Sequence, residues 1–378
     1  MSNQQLTVVG GGLVGAAIAY GAARAGMRVR VLDQGDGAFR ASRGNFGLVW
    51  VSSKGGNLPR YARWSRDAAK TWPDLHKELL ELTGVDSGLR QPGGFWLGFS
   101  DAEVKARAEL LEKIDREAGG VPFQILEPSE LRQYLPGIGT AVVGGSFGPL
   151  DGHANPLMLL RALHAGLHCH GADVITGVDV ADIRYDAGSG QFEAVATDGQ
   201  SWKSERLVLA AGLGNARLAS QVGLYAPITT TRGQVLITER LKPFLEYPTN
   251  KVRQTGEGTV QIGSTSEDVG LDDGTTTEKI EWLARRAVET FPALARARLV
   301  RAWGALRPLT PDGYPIYQAS ASCPGAYVAT CHSGVTLASA HSFVIGPWMS
   351  GLTQTPPEFD VFLSDRFLDP NASFSHEH

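Results

Sequence analysis

Short apolar runs and glycine-rich turns alternate at the start of the chain. Leu6–Val9 is an apolar run that predicts a buried strand, and Gly10–Gly12 predicts a turn after it. Leu13–Ala25 is a run of small and apolar residues that predicts a helix ending near Gly26. Arg28–Leu32 predicts a second strand. The pattern therefore indicates a strand–helix–strand unit at the N-terminus.

The remaining chain mixes helix-spaced and strand-like segments. Residues Ala41 to Leu58 have a loop composition, Tyr61–Leu82 has helical spacing, and the charged segment Ala102–Ala118 predicts an exposed helix. The other predicted elements follow in chain order: a strand at Phe95–Phe99, a helix near Asn155–Gly166, a strand at Ala172–Ile175, a hairpin around Asp186–Gly190, strands at Leu207–Ala210, Val235–Thr238 and Val260–Gly263, a helix at Lys279–Phe291, a strand at Ala326–Thr330 and a helix from about Val335.

Composition narrows the class of protein. The chain has 378 residues, of which 43% are hydrophobic, and this length suggests at least two domains. A net charge of −4 gives no reason to expect a nucleic-acid partner. Three cysteines without metal or redox spacing fit a reducing compartment and predict no metal site. Leu6–Ala23 is uncharged, but glycines interrupt it, so we interpret it as a buried soluble segment rather than a membrane span.

The first chemical motif is the glycine pattern from Gly10 through Gly12 to Gly15. Its first glycine permits a tight turn, its second lets the backbone approach a pyrophosphate, and its third lets helix and strand pack closely. Asp33 follows Gly15 by 18 residues, at the end of the second strand, where its carboxylate can bind a ribose diol. A glycine-rich turn of another α/β protein is the alternative, and the motif alone does not separate NAD from FAD.

Three later segments favour FAD. Ala41–Gly47 can bring hydroxyl and amide groups to a pyrophosphate and a flavin. Leu207–Gly212 is an apolar strand that ends in a turn of small residues, where the backbone can pass close to a cofactor. Ala326–Thr336 predicts a strand, a polar turn and a helix N-terminus, whose dipole would stabilise the negative charge of a reduced flavin.

Together these segments resemble the D-amino-acid-oxidase-type flavoproteins, which include glycine oxidase, sarcosine oxidase and D-amino acid dehydrogenase. The loop Ala41–Gly55 is similar to the flavoprotein subunits of opine and D-hydroxyproline dehydrogenases and of hydrogen cyanide synthase. The other stretches that carry the resemblance are Arg90–Gly94, Asp151–Pro156, Gly177–Val180, Ala210–Gly212, Thr231–Gln234, Val252–Thr255, Ile262–Thr265 and Trp303–Gly313.

The resemblance implies an α/β fold with a Rossmann-like, doubly wound FAD-binding domain and an inserted antiparallel-sheet α+β substrate domain. We expect the FAD-binding domain to comprise residues 1–88, 148–224 and 303–378, and the substrate domain to comprise residues 89–147 and 225–302. The substrate would lie between the two domains, over the flavin.

The resemblance also implies roles for particular residues. Asp33 would hold the adenosine ribose, Val180 the adenine, and residues 332–336 the pyrimidine end of the flavin. Arg307 would bind the substrate carboxylate, with a structural ion pair as the alternative, and Arg253 would be a second substrate contact. The residues expected to contact the cofactor are Gly10, Gly12, Leu13, Val14, Gly15, Asp33, Gln34, Ser42, Asn45, Gly47, Val180, Ala211, Gly212, His332, Ser333, Gly334, Val335 and Thr336.

Some positions depart from the family's pattern. Ala305 stands near the cysteine to which the sarcosine-oxidase branch attaches its flavin, so we expect FAD to be non-covalent. Cys331 replaces a common glycine, and it is either a reactive thiol or, as we interpret it, a small packed residue. His332 would shape the flavin loop rather than act as a base. Lys54 could face the substrate or a partner, but we interpret it as a solvated loop residue.

The predicted activity is dehydrogenation of the C–N bond of an amino-acid-like substrate (an opine, D-hydroxyproline or a related primary or secondary amino acid) by hydride transfer to flavin N5. The subgroup resemblance implies partner subunits that carry further redox cofactors. We expect a cytoplasmic protein that would reach the inner face of the membrane only through those partners. Two alternatives stay open: a 2-hydroxy-acid dehydrogenase of the same superfamily, and a non-catalytic flavin subunit for electron transfer.

Overall fold

The computed structural model describes residues 4–35, 41–120, 122–369 and 374. The ends of the predicted segments 1–88 and 303–378 lie outside the described residues. The strands are β1 (Gln4–Val9), β2 (Val29–Asp33), β3 (Leu48–Val49), β4 (Gly94–Gly98), β5 (Gln124–Leu126), β6 (Gly144–Gly148), β7 (Gly152–His153), β8 (Asp173–Thr176), β9 (Val180–Asp186), β10 (Gln191–Ala196), β11 (Ser201–Leu209), β12 (Thr229–Arg240), β13 (Val252–Gln254), β14 (Thr259–Gly263), β15 (Leu299–Leu309), β16 (Ile316–Ala319) and β17 (Ala326–Thr330).

The helices connect these strands mostly as the sequence predicts. The α-helices are α1 (Leu13–Arg24), α2 (Ala41–Gly44), α3 (Pro59–Thr83), α4 (Asp101–Ala118), α5 (Pro128–Tyr134), α6 (Pro156–Cys169), α7 (Asn215–Leu218), α8 (Thr277–Thr290), α9 (Ala338–Ala340) and α10 (Gly346–Met349), with a π-helical turn at His341–Ile345 between the last two. Short 3₁₀ turns occupy Gly212–Gly214, Ala219–Val222, Pro292–Arg296, Pro357–Phe362 and Ser364–Phe367. Within the described part of the chain, no helix is both long and apolar enough to cross a bilayer.

The largest sheet is parallel at its centre. Its strands are hydrogen-bonded in the order β16–β17–β11–β1–β2–β8, and only β16 runs antiparallel in that series. The antiparallel strands β9 and β10 extend from the first half of β11. Leu6 and Val8 pack against the helices on one face, whereas Leu207 and Leu209 pack against the β9–β10 side. Burial on both faces explains why the central strands are almost uninterrupted apolar runs.

A second unit is built from two separate parts of the chain. One part is the three-stranded sheet β4–β6–β5, and the other is the antiparallel sheet β13–β14–β12–β15 with helix α8. Phe95 from the first part and Leu236 and Phe291 from the second belong to one hydrophobic cluster. The architecture agrees with the predicted fold class, while the domain boundaries stay predictions.

Three local predictions need correction. The segment predicted as a loop contains helix α2 and strand β3, because β3 pairs with β7 about a hundred residues later. Helix α4 is not simply exposed, since Arg107, Leu111 and Ile114 are buried on its inner face. The last helix begins at Ala338 rather than at Val335, because residues 332–337 form turns before it.

Candidate active site

A cavity of about 970 Å³ lies between the two units. One wall is formed by the carboxyl ends of β1, β2, β11 and β17, and the opposite wall by β12, β15 and the residues after β14. Ligands of open parallel sheets bind at the carboxyl ends of the strands. The volume lies at the upper end of the range of roughly 300–1,000 Å³ that is typical of ligand and cofactor sites.

The N-terminal glycine motif forms the tight turn that its spacing predicts. Gly10 has φ = +104°, and a Cβ there would lie 2.4 Å from the carbonyl oxygen of Ala210. A Cβ on Gly15 would lie 1.9 Å from the carbonyl oxygen of Gly10. Gly10, Gly12, Leu13 and Val14 line the cavity, whereas Gly15 lies behind it and permits the close approach of helix and turn.

Asp33 organises this turn as well as facing the cavity. Its Oδ2 accepts a hydrogen bond from Gly11 N at 2.7 Å, and its Oδ1 accepts one from Gly35 N at 2.9 Å. The neighbouring Gln34 also lines the cavity. Ser42 Oγ accepts a hydrogen bond from Leu13 N at 2.9 Å, so this hydroxyl caps one of the amides at the N-terminus of α1. Hydroxyl and amide groups thus meet at a helix N-terminus, which suits a pyrophosphate.

Small residues and backbone form the part of the main-sheet wall around Val180 and the turn after β11. Val180, Ala211 and Gly212 all line the cavity. Asn215 holds this turn in place, because its Oδ1 accepts from Ala211 N at 2.8 Å and its Nδ2 donates to Ala329 O at 3.0 Å. The small side chains leave room for a planar group beside the sheet.

The turn of residues 332–336 is anchored by hydrogen bonds to three of its residues. Ser333 Oγ accepts from Tyr61 Oη at 2.9 Å and from Lys54 Nζ at 2.8 Å. Val335 O accepts from Trp72 Nε1 at 2.8 Å, and Thr336 Oγ1 accepts from Trp50 N at 3.1 Å. All five residues of the turn, from His332 to Thr336, line the cavity, and their contact with the flavin stays a prediction.

Asn45, Gly47 and Arg253 form a small structural group beside the cavity. Asn45 lines it and accepts from Gly47 N at 2.7 Å, but Gly47 and Arg253 do not line it. Arg253 is only 2% exposed, donates through Nε to Phe46 O and lies 3.1 Å from His153 Nδ1 through Nη1. The geometry does not support a substrate contact by Arg253, because its Nε and Nη1 contact Phe46 and His153 and the side chain does not line the cavity.

Arg307 lies on the cavity wall that faces the nucleotide side. Its Nη2 donates to Ser264 Oγ and to Thr265 O, the latter at 3.0 Å. The guanidinium rests on Gly233, where a Cβ would lie 1.9 Å from Nη2. Burial lowers the pKa of Arg307, but the group stays a cation because arginine titrates so far above neutrality. Among the described residues the hydrogen bonds of Arg307 involve Nη2, so its Nε–H and Nη1–H groups remain for a carboxylate.

Three cationic residues of the cavity, Lys251, Arg286 and Arg107, escaped the sequence predictions, and a fourth, Lys54, was misinterpreted. Lys251, Arg286, Arg107 and Lys54 all line it, together with the aromatic residue Trp96. Lys54 is half-buried and bonded to Ser333, so its interpretation as a solvated loop lysine was wrong. No local pattern marks these residues, because they come from two helices and two turns far apart in the sequence and meet only in the folded chain.

Cys331 is a packed thiol. It is 6% exposed, and its Sγ accepts a hydrogen bond from Ser333 N at 3.1 Å. Burial raises the pKa of this thiol to about 12, so the reactive thiolate is scarce at neutral pH. The structure therefore favours the packing interpretation over a reactive cysteine.

The site fits FAD on its own geometry. Gly10 has no room for a side chain, Gly12 lies against Ser42, and the cavity beside them is also lined by Asp33, residues 332–336 and Arg307. A dinucleotide with a flavin at its far end would thus place the flavin between the nucleotide wall and Arg307.

We expect Asp33→Asn to weaken FAD binding by about tenfold to over a hundredfold. Charged hydrogen bonds contribute roughly 1.5–3 kcal/mol, and an amide cannot accept from both Gly11 N and Gly35 N through two oxygens. Fluorescence titration of the apoprotein with FAD measures this loss. Asp173→Asn, at a surface ion pair with Arg30, is the matched control. Equal FAD affinity in wild type and Asp33→Asn would argue against the ribose role.

Comparisons with known proteins identify the family of the chain. Residues 5–345 match the family described as "DAO: FAD dependent oxidoreductase". One of the subunits of opine oxidase from Agrobacterium tumefaciens is 40% identical over 369 residues, which cover 97% of this chain and 98% of that protein. The hydrogen cyanide synthase subunit HcnC of Pseudomonas protegens is 26% identical over 97% of each chain.

The fold comparison leads to the same family. The crystal structure of glycine oxidase from Geobacillus kaustophilus matches with a TM-score of 0.85 and 26% identity, over 95% of this chain and 97% of that one. The resemblance, the fold class and the FAD cofactor expected from the sequence are thereby confirmed. This protein belongs to the DAO family of FAD-dependent oxidoreductases.

Proposed function

We propose that the chain is the catalytic subunit of a hetero-oligomeric dehydrogenase that oxidises the C–N bond of an amino-acid-like substrate. The candidate substrates are an opine, D-hydroxyproline or a related primary or secondary amino acid. The observation that carries the proposal is Arg307, a partly buried guanidinium in the same cavity as the nucleotide-binding turn. It forms no ion pair within the described residues, since the nearby Glu267 is engaged by Arg232 at 2.9 Å and by Gln234 at 3.0 Å.

The protein's part in this reaction is to bind and orient the substrate. Arg307 would hold the carboxylate in a two-pronged hydrogen bond and so fix which hydrogen of Cα faces the cofactor. FAD, when bound, would supply the redox chemistry as the acceptor of the hydride from Cα, and the proton of the amine would leave to water. The resulting imine is hydrolysed by water, so no nucleophile on the protein is required.

Anaerobic addition of candidate substrates to the holoprotein tests the function. Bleaching of the flavin absorbance by an amino acid, and not by the matching 2-hydroxy acid, is the expected result. Bleaching by the hydroxy acid alone would identify the alternative dehydrogenase. No bleaching by either class would favour a non-catalytic flavin subunit for electron transfer.

We expect the isolated chain to react slowly with oxygen after reduction. The relatives named as subunits of opine oxidase and hydrogen cyanide synthase support partner subunits that would receive the electrons. Stopped-flow mixing of the reduced chain with oxygenated buffer measures the rate of flavin reoxidation. Rapid reoxidation with stoichiometric peroxide would indicate a self-sufficient oxidase instead.

We expect FAD to be bound without a covalent link. Ala305 lines the cavity with a methyl group that cannot form a thioether, and the buried Cys331 thiol is a poor nucleophile. Acid precipitation should therefore release all the yellow colour into the supernatant. Flavin that remains on the washed protein pellet would contradict this expectation.

A further inference from the structure

On the substrate-side wall of the cavity, two cationic side chains donate hydrogen bonds to the same residue, Ser264. Lys251 Nζ donates to the carbonyl oxygen of Ser264 at 2.9 Å, and Arg307 Nη2 donates to the hydroxyl of the same serine. Both side chains line the cavity. The arrangement brings an ammonium and a guanidinium to the same end of strand β14.

Neither cation has a carboxylate partner within the described residues. Glu267 binds Arg232, Gln234 and Thr265, and Glu103 accepts from Phe99 N at 2.7 Å at the exposed start of α4. Glu267 is thus engaged by Arg232, and Glu103, although it also lines the cavity, forms no ion pair with Lys251 or Arg307 among the described residues.

A third cation of this wall, Arg286, lies near Lys251 and is paired with a carboxylate of its own helix. Arg286 of helix α8 lies with its guanidinium carbon 3.4 Å from the centre of the Phe99 ring, and its Nη1 lies 3.3 Å from Glu289. Burial, together with the positive charges of Arg307 and Arg286, lowers the pKa of Lys251 to about 8. Because Arg286 is paired with Glu289, the uncompensated charges among the described residues of this wall are those of Lys251 and Arg307, which repel one another.

We propose, on the basis of the proposed function, that the substrate carries two carboxylates. Arg307 binds the carboxylate beside the oxidised carbon, and Lys251 with Arg286 binds the second. A single carboxylate on Arg307 leaves Lys251 uncompensated, whereas a second anion relieves the repulsion. Phe99 and Trp282 line the cavity near Arg286 and provide apolar surface for the carbon chain between the two acids.

The phosphates of the cofactor do not account for these cations. The predicted pyrophosphate site is formed by Gly10–Val14 and Ser42 on the main-sheet wall, whereas Lys251, Arg286 and Arg307 belong to the second unit. Substitution of the second-unit cations should accordingly leave FAD content unchanged.

Ligand binding to the oxidised holoprotein tests the second subsite without any turnover. Glutarate and pentanoate have the same number of carbons but two and one carboxylates, and flavin difference absorbance reports the binding of each. We expect glutarate to bind at least about tenfold more tightly, which is the effect of roughly 1.4 kcal/mol. Lys251→Met/Arg286→Met should abolish this difference while changing pentanoate affinity by less than about threefold, since Arg307 keeps the first carboxylate.

Arg285→Met is the matched control, because Arg285 is the neighbouring arginine of α8 and pairs with Glu281 on the exposed face. It should keep the full preference for glutarate. If the double variant loses FAD, the single variants Lys251→Gln and Arg286→Gln are each compared with wild type. Each should reduce the preference for glutarate over pentanoate. Equal binding of glutarate and pentanoate by wild type, or an unchanged preference in the variants, overturns the second subsite.

A turnover experiment separates this inference from the proposed function. An N-(carboxyalkyl) amino acid should bleach the flavin at far lower concentration than the N-alkyl amino acid of equal chain length. Equal bleaching by both overturns the second subsite but retains the amine dehydrogenase. If neither amine bleaches the flavin, the proposed function fails, while the glutarate comparison still decides whether the anion subsite exists.

Discussion

Replacing Arg307 with alanine should reduce kcat/KM for the natural acid by roughly 30-fold to several thousandfold. Loss of one partner of a buried, hydrogen-bonded charge pair costs about 2–5 kcal/mol or more. The same contact orients Cα, so both kcat and KM should suffer. Steady-state kinetics with an artificial electron acceptor measures the change. FAD content should stay normal, because Arg307 lies on the wall opposite the nucleotide turn.

The comparison of acid and amine makes this prediction specific. Wild type should strongly prefer the amino acid over its decarboxylated amine, and Arg307→Ala should lose most of that preference. Arg307→Lys keeps the positive charge but cannot form a bidentate hydrogen bond, so its activity should lie between those of Arg307→Ala and wild type. A variant Arg307→Ala that binds FAD normally and still prefers the acid as wild type does would place the carboxylate anchor elsewhere.

Gly233→Ala should impair catalysis on the order of a hundredfold without touching the substrate. A Cβ at Gly233 would lie 1.9 Å from Arg307 Nη2 and 2.4 Å from its guanidinium carbon. The guanidinium is the movable partner, so the chain should fold while Arg307 shifts away from its position. Misplacement by about 1 Å can cost about a hundredfold in rate. Steady-state kinetics measures the loss of activity, and the FAD occupancy of the purified variant shows whether the chain has folded.

A double-substitution cycle and a matched glycine control sharpen this test. Gly256→Ala lies in the turn between β13 and β14, where a Cβ has no neighbour within 4 Å, so its kinetics should equal those of wild type. Gly233→Ala should add little in the Arg307→Ala background, since it acts through the guanidinium. Additive losses from Gly233 and Arg307 would show that Gly233 contributes to the site independently of Arg307.

The strand–turn–helix unit could be predicted because its constraints are local. Gly10, Gly15 and Asp33 follow one another within a single unit, and each glycine is required by a contact inside it or with the adjacent strand. Strand β17 was predicted with its observed bounds, Ala326–Thr330, because a run of buried residues is bounded by turns on both sides. Local pattern and family resemblance thus sufficed for the fold class and the cofactor.

The two arginines of the second unit show what local pattern could not decide. Arg253 and Arg307 both lie in strands of one sheet, and the sequence offers both as substrate contacts. In the folded chain Arg253 is buried against Phe46 and His153, whereas Arg307, paired with Thr231, extends over Gly233 into the cavity. Strand pairing and register determine which face a side chain reaches, and a shift of one residue would reverse it.

By itself the sequence determined the nucleotide-binding turn, the FAD-dependent family and the candidate carboxylate anchor Arg307. Only the tertiary structure showed that Arg253 is buried against Phe46 and His153, outside the cavity lining, and that Lys54 is half-buried against Ser333. The structure alone also placed Lys251 and Arg286 on the wall that carries Arg307. The physical reason is that charge excess in a cavity is a sum over residues from distant segments, and the chain brings them together only through long-range strand pairing and packing.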